Sequence, residues 1–342
     1  MIHPTFQNVH NQFKLNGFHF NKEDLIRVAY SFIKEGDAFE KPVGNFIYDW
    51  FDNNSFLEIK TSGSTGAPKV IKIEKQAMVN SALATGDFFN LHAGNKALLC
   101  LPMDYIAGKM MFVRALILGL DLDFIAPTSN PLKNNTTQYD FVAMVPMQVE
   151  NSLKELVQVK KLIVGGVAMN FQLQQKLMEL PTQIFETYGM TETSTHIAVK
   201  KLGSEVFNTL PNVEIGVDER NCLTISAHKI SAEKIVTNDI VELISSDQFI
   251  FKGRIDNVIN SGGVKLFPEQ IEAKLNPFIS NRFYISSISD DTLGQKAVLV
   301  IESEPIAIDD AIFEGLSKYE RPKQIIFKPK FDETPSGKVI RN

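Results

Sequence analysis

The sequence predicts an α/β protein: a large layered domain followed by a smaller α+β unit. Three observations carry that expectation. Short apolar runs alternate with amphipathic stretches through the first two hundred residues, short strands with turns take over from about residue 205, and a mixed helix-and-strand pattern begins after about residue 255. A length of 342 residues suits two domains, with the division expected at 1–254 and 255–342.

Taken in order, Leu25, Val28, Ala29, Phe32 and Ile33 keep helical spacing and predict a helix over 22–35. Phe56-Leu-Glu-Ile and Val70-Ile-Lys-Ile read as strands on either side of a polar loop. Helical patterns follow near 75–89, 107–118, 147–157 and 170–179. Between them, Ala97–Leu101, Asp123–Ala126, Phe141–Val145 and Leu162–Val164 read as strands. Val213–Val217, Leu223–Ser226, Ile240–Ile244 and Phe249–Phe251 form the strand-rich section. The last unit should hold a helix near 268–276, strands near 282–288 and 296–302, and a helix near 308–318. Pro268 suits the first turn of its helix, and Glu269 lies close to the positive end of the dipole.

Composition removes several function classes. Hydrophobic residues make up 44% of the chain, ample for a core. The net charge of −5, without a long basic run, leaves no nucleic-acid footprint. Cys100 and Cys222 are too few for a disulfide framework or a metal cluster, and the six histidines include no His-Glu-x-x-His. The longest apolar stretch, near Met110–Leu120, is interrupted by Arg114 and is too short to span a bilayer. The first residues lack the basic flank and apolar core of a signal peptide. The expectation is a soluble cytoplasmic protein with no membrane insertion.

Five stretches carry chemistry. Thr61-Ser62-Gly63-Ser64-Thr65-Gly66-Ala-Pro-Lys69 combines hydroxyls, glycines and one lysine. Its backbone N–H groups can approach an anion closely, and Lys69 adds a point charge. It is not the usual P-loop: Gly63 and Gly66 are three apart, Val70 follows the lysine, and the flanks are strands. Tyr188-Gly189-Met-Thr191-Glu192-Thr193 offers a flat ring for a base, a hydroxyl, and a hard oxygen for a divalent cation. Thr237-Asn238-Asp239 precedes a strand and sets a carboxylate where it can accept both ribose hydroxyls. On its own the tripeptide also reads as an Asp turn. Lys252-Gly-Arg254-Ile-Asp256, continuing to Gly262-Gly263, falls at the expected domain boundary and reads as a hinge. Thr334-Pro-Ser-Gly337-Lys338-Val-Ile-Arg341 ends the chain. Alone, its lysine would read as solvated.

In this order and at these separations the stretches resemble the signature of the adenylate-forming superfamily of acyl-CoA synthetases, adenylation domains and firefly luciferase. Leu162-Ile-Val-Gly165-Gly166-Val167-Ala is similar to the family's adenine-contacting strand end. The resemblance covers roughly residues 55–342. It implies the family's fold in shortened form, with a small mobile C-terminal domain. It also implies a two-step reaction. A carboxylate attacks the α-phosphorus of ATP to give an acyl-adenylate and pyrophosphate, and a thiol, commonly that of coenzyme A, then displaces AMP. ATP, Mg2+ and coenzyme A are the implied cofactor and co-substrates.

Carried over by position, Thr61, Ser62, Gly63, Ser64, Thr65, Gly66 and Lys69 would hold the β- and γ-phosphates. Tyr188, with Gly189 turning the chain, and Gly165, Gly166 and Val167 would frame adenine. Glu192 would bind magnesium and Thr191 would contact phosphate. Asp239 would bind the ribose, assisted by Arg254. Asp256 would be the pivot of the small domain, and Lys338 would reach the α-phosphate and carboxylate oxygens during adenylation.

The compact family members that this chain most resembles are the o-succinylbenzoate–CoA ligases of menaquinone synthesis, whose substrate is an aromatic dicarboxylate. Leu101-Pro-Met-Asp104-Tyr105-Ile-Ala-Gly108-Lys109 aligns with the family's Pro-x-Phe-His-x-x-Gly segment, with Tyr105 in place of its histidine. Tyr105, Lys109 and His196 are the substrate-side candidates. Lys109, Arg114 and His196 are the candidates for the distal carboxylate. Asn238 stands where the family often has Gly or Ser.

Overall fold

The computed structural model describes residues 3–60, 70–231, 233–333 and 339–341. Two short strands, β1 (Lys14–Leu15) and β2 (Phe18–His19), open the chain as an antiparallel pair. Reciprocal capping then fixes the first helix. Asn21 Oδ1 accepts the Asp24 amide at 2.9 Å, and the Asp24 carboxylate accepts the Asn21 amide at 3.3 Å, which starts α1 (Lys22–Lys34). Its buried Leu25 and Ala29 face α2 (Glu40–Phe51), which buries Val43, Phe46, Ile47, Trp50 and Phe51.

Strands β3 (Phe56–Lys60) and β4 (Val70–Glu74) pair antiparallel, Phe56 opposite Glu74 and Lys60 opposite Val70, so residues 61–69 connect the arms of a hairpin. Helix α3 (Lys75–Phe89) follows directly. The alternating section is β5 (Lys96–Leu99), α4 (Ile106–Leu118), β6 (Asp121–Phe124), β7 (Tyr139–Met144), α5 (Pro146–Asn151), β8 (Val159–Val164), α6 (Phe171–Met178) and β9 (Gln183–Gly189). These strands run parallel in the order β9-β8-β7-β5-β6-β1.

Successive side chains of a strand point to opposite faces, and both faces here are covered. Ala97, Leu99, Phe141, Ala143 and Ile163 join the cluster beneath α1–α4. Leu98, Val142, Met144, Leu162 and Val164 join the other cluster, with Val149 of α5 and Leu173 and Leu177 of α6.

The sheet then turns antiparallel. Strands β10 (His196–Lys201), β11 (Val206–Thr209), β12 (Glu214–Val217), β13 (Cys222–Ser226), β14 (Ile235–Leu243) and β15 (Gln248–Arg254) extend it in the order β12-β13-β14-β15-β11-β10-β9 over a third cluster around Leu223, Ile225 and Phe249. A separate sheet holds β16 (Ile259–Ser261), β17 (Val264–Leu266), β18 (Phe283–Asp290), β19 (Gly294–Glu302) and β20 (Gln324–Lys328). Helix α7 (Pro268–Leu275) buries Ile271 and Leu275 in that sheet's own core.

Two expectations need correction, and one helix was not foreseen. Residues 308–318 form only a 3-10 turn at Asp310–Phe313. Ile308, Ile312, Phe313 and Leu316 still enter the core, but from irregular chain that includes Gly315. The helix expected over 147–157 breaks after Asn151 and resumes as a 3-10 turn at Leu156–Gln158. Helix α2 has no counterpart in the periodicity reading. Among the described residues no helix is long and apolar enough to cross a membrane.

Candidate active site

Ligands of open α/β sheets sit beyond the carboxyl ends of the parallel strands. Here β7, β8 and β9 end side by side. The Gly165 amide donates to the Met144 carbonyl at 3.2 Å, carrying the chain just past β8. Gly166 then takes φ +95°, a left-handed conformation, and Val167 is exposed beside it. Gly189 is fixed by close approach. A Cβ there would lie 2.3 Å from the Thr195 carbonyl oxygen and 2.5 Å from the His196 Cα, so any side chain would push β9 and β10 apart.

The turn after Gly189 is a 3-10 helix, Thr191–Thr193. Thr193 Oγ1 accepts the Met190 amide at 3.0 Å and donates to the Thr195 carbonyl at 2.6 Å. With Thr193 turned inward, Thr191 is half-buried and Glu192 exposed, and the turn packs beside β4. The second motif thus lies against an arm of the hairpin that carries the first. Thr61, Ser62, Gly63, Ser64, Thr65, Gly66 and Lys69 themselves lie outside the described residues, as does Lys338.

Tyr188, at the end of β9, donates its hydroxyl to Asp239 Oδ2 at 2.5 Å. Burial, then the neighbouring Asp239 charge, raises the phenol pKa, so the hydroxyl stays a donor. The Tyr188 ring lies edge-on to Phe249 and Phe207, with centroids 5.2 and 5.8 Å away. Asp239 sits opposite Arg254 in the β14–β15 register, and Arg254 Nε is 3.9 Å from Asp239 Oδ1. The Asp239 amide donates to Thr237 Oγ1 at 3.1 Å, which ties the tripeptide together. Arg254 also donates to Asp256 Oδ2 at 2.9 Å, and Asn238 Nδ2 lies 3.4 Å from each Asp256 oxygen.

A second group of polar residues lies beneath this face. Arg114 of α4 is 2% exposed, and no carboxylate among the described residues pairs with it. It donates to Thr85 Oγ1 at 3.4 Å, to Thr195 Oγ1 at 3.2 Å and to His196 Nδ1 at 3.3 Å. Burial alone pulls the guanidinium down to about 9. Burial and then the Arg114 charge push the His196 imidazole well below its usual range, so the ring is neutral. With Nδ1 accepting, the proton belongs on Nε2, a buried atom with no partner among the described residues. The Ser81 hydroxyl, one turn before Thr85 on α3, is likewise buried without a partner among them.

Lys109 and Tyr105 are not part of that group. The Lys109 ammonium donates to the Met103 carbonyl and lies 5.7 Å from the Phe46 ring centre. Burial lowers its pKa against the pull of Asp104 and Asp49. Tyr105 is exposed at the N-terminus of α4. Thr85, Thr195 and Ser81 were not singled out in the sequence. The signal for Ser81 and Thr85 was their i, i+4 spacing on one face of α3; Thr195 gave none.

The residues gathered here carry groups that a nucleotide uses: backbone free of side chains at Gly165 and Gly166, and the half-buried Asp239 carboxylate with the Tyr188 hydroxyl on one of its oxygens. Glu192 suits magnesium only in part, as expected for an ion held chiefly by phosphates and water.

Known proteins resemble this chain along much of its length. A family model described as "AMP-binding enzyme" matches residues 56–221. A 2-succinylbenzoate–CoA ligase of Haemophilus influenzae is 26% identical over 296 residues, covering 78% of this chain and 64% of its own length. The Escherichia coli K12 ligase of the same name is 23% identical over 79% of this chain and 64% of its own length. The chain therefore spans just under two thirds of these two curated relatives. An O-succinylbenzoate coenzyme A synthetase from Bacillus subtilis, solved with ATP and magnesium ion, superposes with a TM-score of 0.72 over 82% of this chain and 68% of its own at 19% identity, a likeness of fold. An acyl-CoA synthetase (AMP-forming)/AMP-acid ligase II-like protein from Dyadobacter fermentans is 36% identical with a TM-score of 0.64, covering 92% of this chain and 95% of that one. That identity, maintained along nearly the whole of both chains, leads to one conclusion: the chain belongs to the family of AMP-binding enzymes.

Proposed function

We propose that this chain is an ATP-dependent acid–thiol ligase. It adenylates a carboxylate, releasing pyrophosphate, and passes the acyl group to the thiol of coenzyme A. The observation that carries this reading is the 2.5 Å bond from Tyr188 to Asp239, which joins the base-framing and ribose-binding motifs. Carboxylates are poor electrophiles, and adenylation converts one carboxyl oxygen into part of a good leaving group. The protein has mainly to orient the reactants and to offset phosphate charge. Gly165–Val167 and Tyr188 would frame the base, Asp239 and Arg254 would hold the ribose, and Thr191 would donate to phosphate. Residues Thr61–Lys69 would cradle the β- and γ-phosphates. Glu192 would hold Mg2+, which neutralises phosphate charge when bound. Lys338 would bridge the α-phosphate and the carboxylate.

The same proposal divides the chain at 254/255 and makes Asp256 the pivot. On this reading the contacts from Arg254 and Asn238 hold the pivot to the large domain. A small domain that turns there can present Lys338 for adenylation and withdraw it for thioester formation.

For the acid we propose 2-succinylbenzoate. Arg114 and the Nε2–H of His196 are two buried donors with no carboxylate beside them among the described residues. A buried cation is poorly matched by hydroxyls alone and well matched by a second carboxylate. A monocarboxylic aryl or fatty acid is the alternative.

ATP–pyrophosphate exchange without coenzyme A tests both levels. Exchange with 2-succinylbenzoate, and not with benzoate or a medium-chain fatty acid, is the expected result. Exchange with another acid would keep the chemistry and remove the substrate. None with any acid would leave a nucleotide-binding protein that does not catalyse.

A further inference from the structure

The last described residues are fastened by charge. Arg341 makes a two-pronged contact with Glu272 of α7, Nη1 to Oε1 at 2.7 Å and Nη2 to Oε2 at 2.8 Å. Glu272 is 14% exposed, and its Oε1 also accepts the Ile285 amide at 2.8 Å. The Arg341 guanidinium lies 5.9 Å from the Tyr284 ring centre and 3.9 Å from Glu269 Oε1. Glu269 Oε1 in turn accepts Asn257 Nδ2 at 2.5 Å, and Asn257 belongs to the 3-10 turn Ile255–Asn257 that contains Asp256. One chain of contacts therefore runs from the C-terminus through the start of α7 to the proposed hinge.

A matching arrangement holds the other side of residues 334–338. Arg282 grips Glu302 at 2.6 Å through both Nε and Nη2, and donates to Glu333 as well. Its guanidinium lies 5.7 Å from the Phe331 ring, and Phe331 meets Tyr284 at 5.0 Å between centroids. Glu333 and Val339 pair as an antiparallel bridge, and the Ile340 amide donates to Asp332 at 2.8 Å. Arg282 is about half exposed, so its pairs are screened by water. The Arg341–Glu272 pair is more buried, bidentate and backed by an aromatic face, which makes it the stronger anchor.

We infer that Arg341 is a positioning residue: bound to Glu272, it registers the Lys338 segment against α7 and the hinge turn, so that hinge rotation delivers Lys338 accurately. The inference rests on the assignment of Lys338 made above. Arg341 takes no part in the chemistry itself.

The two half-reactions separate this from a general structural role. In Arg341→Ala, ATP–pyrophosphate exchange should fall about tenfold or more, chiefly in kcat, in line with the cost of misplacing a charge-stabilising group. Thioester formation from supplied acyl-adenylate should stay within about threefold. On a Lys338→Ala background the same change should cost little more. Arg341→Lys, which keeps the charge but not the two-pronged contact, covers the case in which the alanine variant does not fold, and should lose exchange in the same selective way. Equal loss in both half-reactions, or a full further loss on the Lys338→Ala background, would overturn the inference. Hydrogen–deuterium exchange provides a readout independent of the ligase reading. Peptides over 331–342 should exchange faster in Arg341→Lys while those of α3 and α4 do not change. Unaltered exchange at 331–342 would show that Arg341 is no anchor, even if the wild-type protein adenylates no acid tested.

Discussion

Tyr188 donates its hydroxyl to Asp239 Oδ2 across 2.5 Å, joining two motifs fifty-one positions apart. The bond occupies one carboxylate oxygen and leaves Oδ1 toward Arg254, 3.9 Å from its Nε. If Asp239 grips the ribose, its charge matters more than the phenol. Asp239→Asn should weaken ATP binding by about tenfold or more, the scale of a lost hydrogen bond to a charged group. Tyr188→Phe keeps the ring and should stay within about threefold, since the hydroxyl only orients the aspartate. Titration calorimetry with ATP decides. A larger loss in the phenylalanine variant would assign the main contact to the hydroxyl.

Gly189 permits the close crossing of β9 and β10. A methyl group 2.3 Å from the Thr195 carbonyl meets backbone that cannot rotate away. Gly189→Ala should therefore cost about 1–3 kcal/mol, the usual price of overpacking. The urea midpoint measures it. An unchanged midpoint would mean that the strand crossing can relax.

The order of elements could be read in the sequence because most strands are apolar runs and most helices show one apolar stripe. Helix α2 was missed although Val43, Phe46, Ile47, Trp50 and Phe51 keep the i, i+3, i+4, i+7, i+8 spacing of a single buried face. Pro42 and Gly44 near its start lower its propensity, so tertiary burial of that face sustains the helix. The reverse error at 308–318 has the same origin. Helical spacing of Ile308, Ile312 and Leu316 records core-facing positions, which irregular chain can also supply. In the candidate site, Tyr188, Asp239 and Arg254 were named from local motifs, and the structure brings these three together. The grouping around Arg114 was not legible. His196 and Arg114 were single candidates, but Thr85 on α3 and the neighbours Thr195 and His196 come from two distant stretches of the chain and meet Arg114 only on folding.

Lys75 is a fully buried lysine at the start of α3. Its ammonium lies 2.6 Å from Asp52 Oδ1 and 5.4 Å from the Phe6 ring. Removing the aspartate would leave a charge stranded. Asp52→Asn should destabilise by about 1–3 kcal/mol, less than a wholly buried pair because Asp52 is partly in water. Lys75→Met, which keeps volume and removes the charge, should cost less than Asp52→Asn. Burial tends to raise the Asp52 pKa, but the Lys75 and Asn54 hydrogen bonds outweigh it and hold it below 3.8. The pair's stabilisation is thus fully present above about pH 4 and fades as the pH falls further. Guanidine melts of both variants at neutral pH test the ranking, and a larger loss in Lys75→Met would reverse the argument.

His196 gives the fold a pH dependence of its own. Burial first, and then the Arg114 guanidinium, hold the folded imidazole well below 6.5. An unfolded chain binds a proton near pH 6.5 that the folded chain refuses. The stabilisation is therefore present above that pH and is lost as the pH falls below it, by up to about 1.4 kcal/mol per pH unit for one proton. His196→Gln keeps an acceptor for Arg114 but cannot titrate. Its urea midpoint should fall less between pH 7.5 and 5.5 than that of the wild type. Parallel declines in the two proteins would mean that other groups set the acid sensitivity, and that His196 either protonates in place or is reached by water.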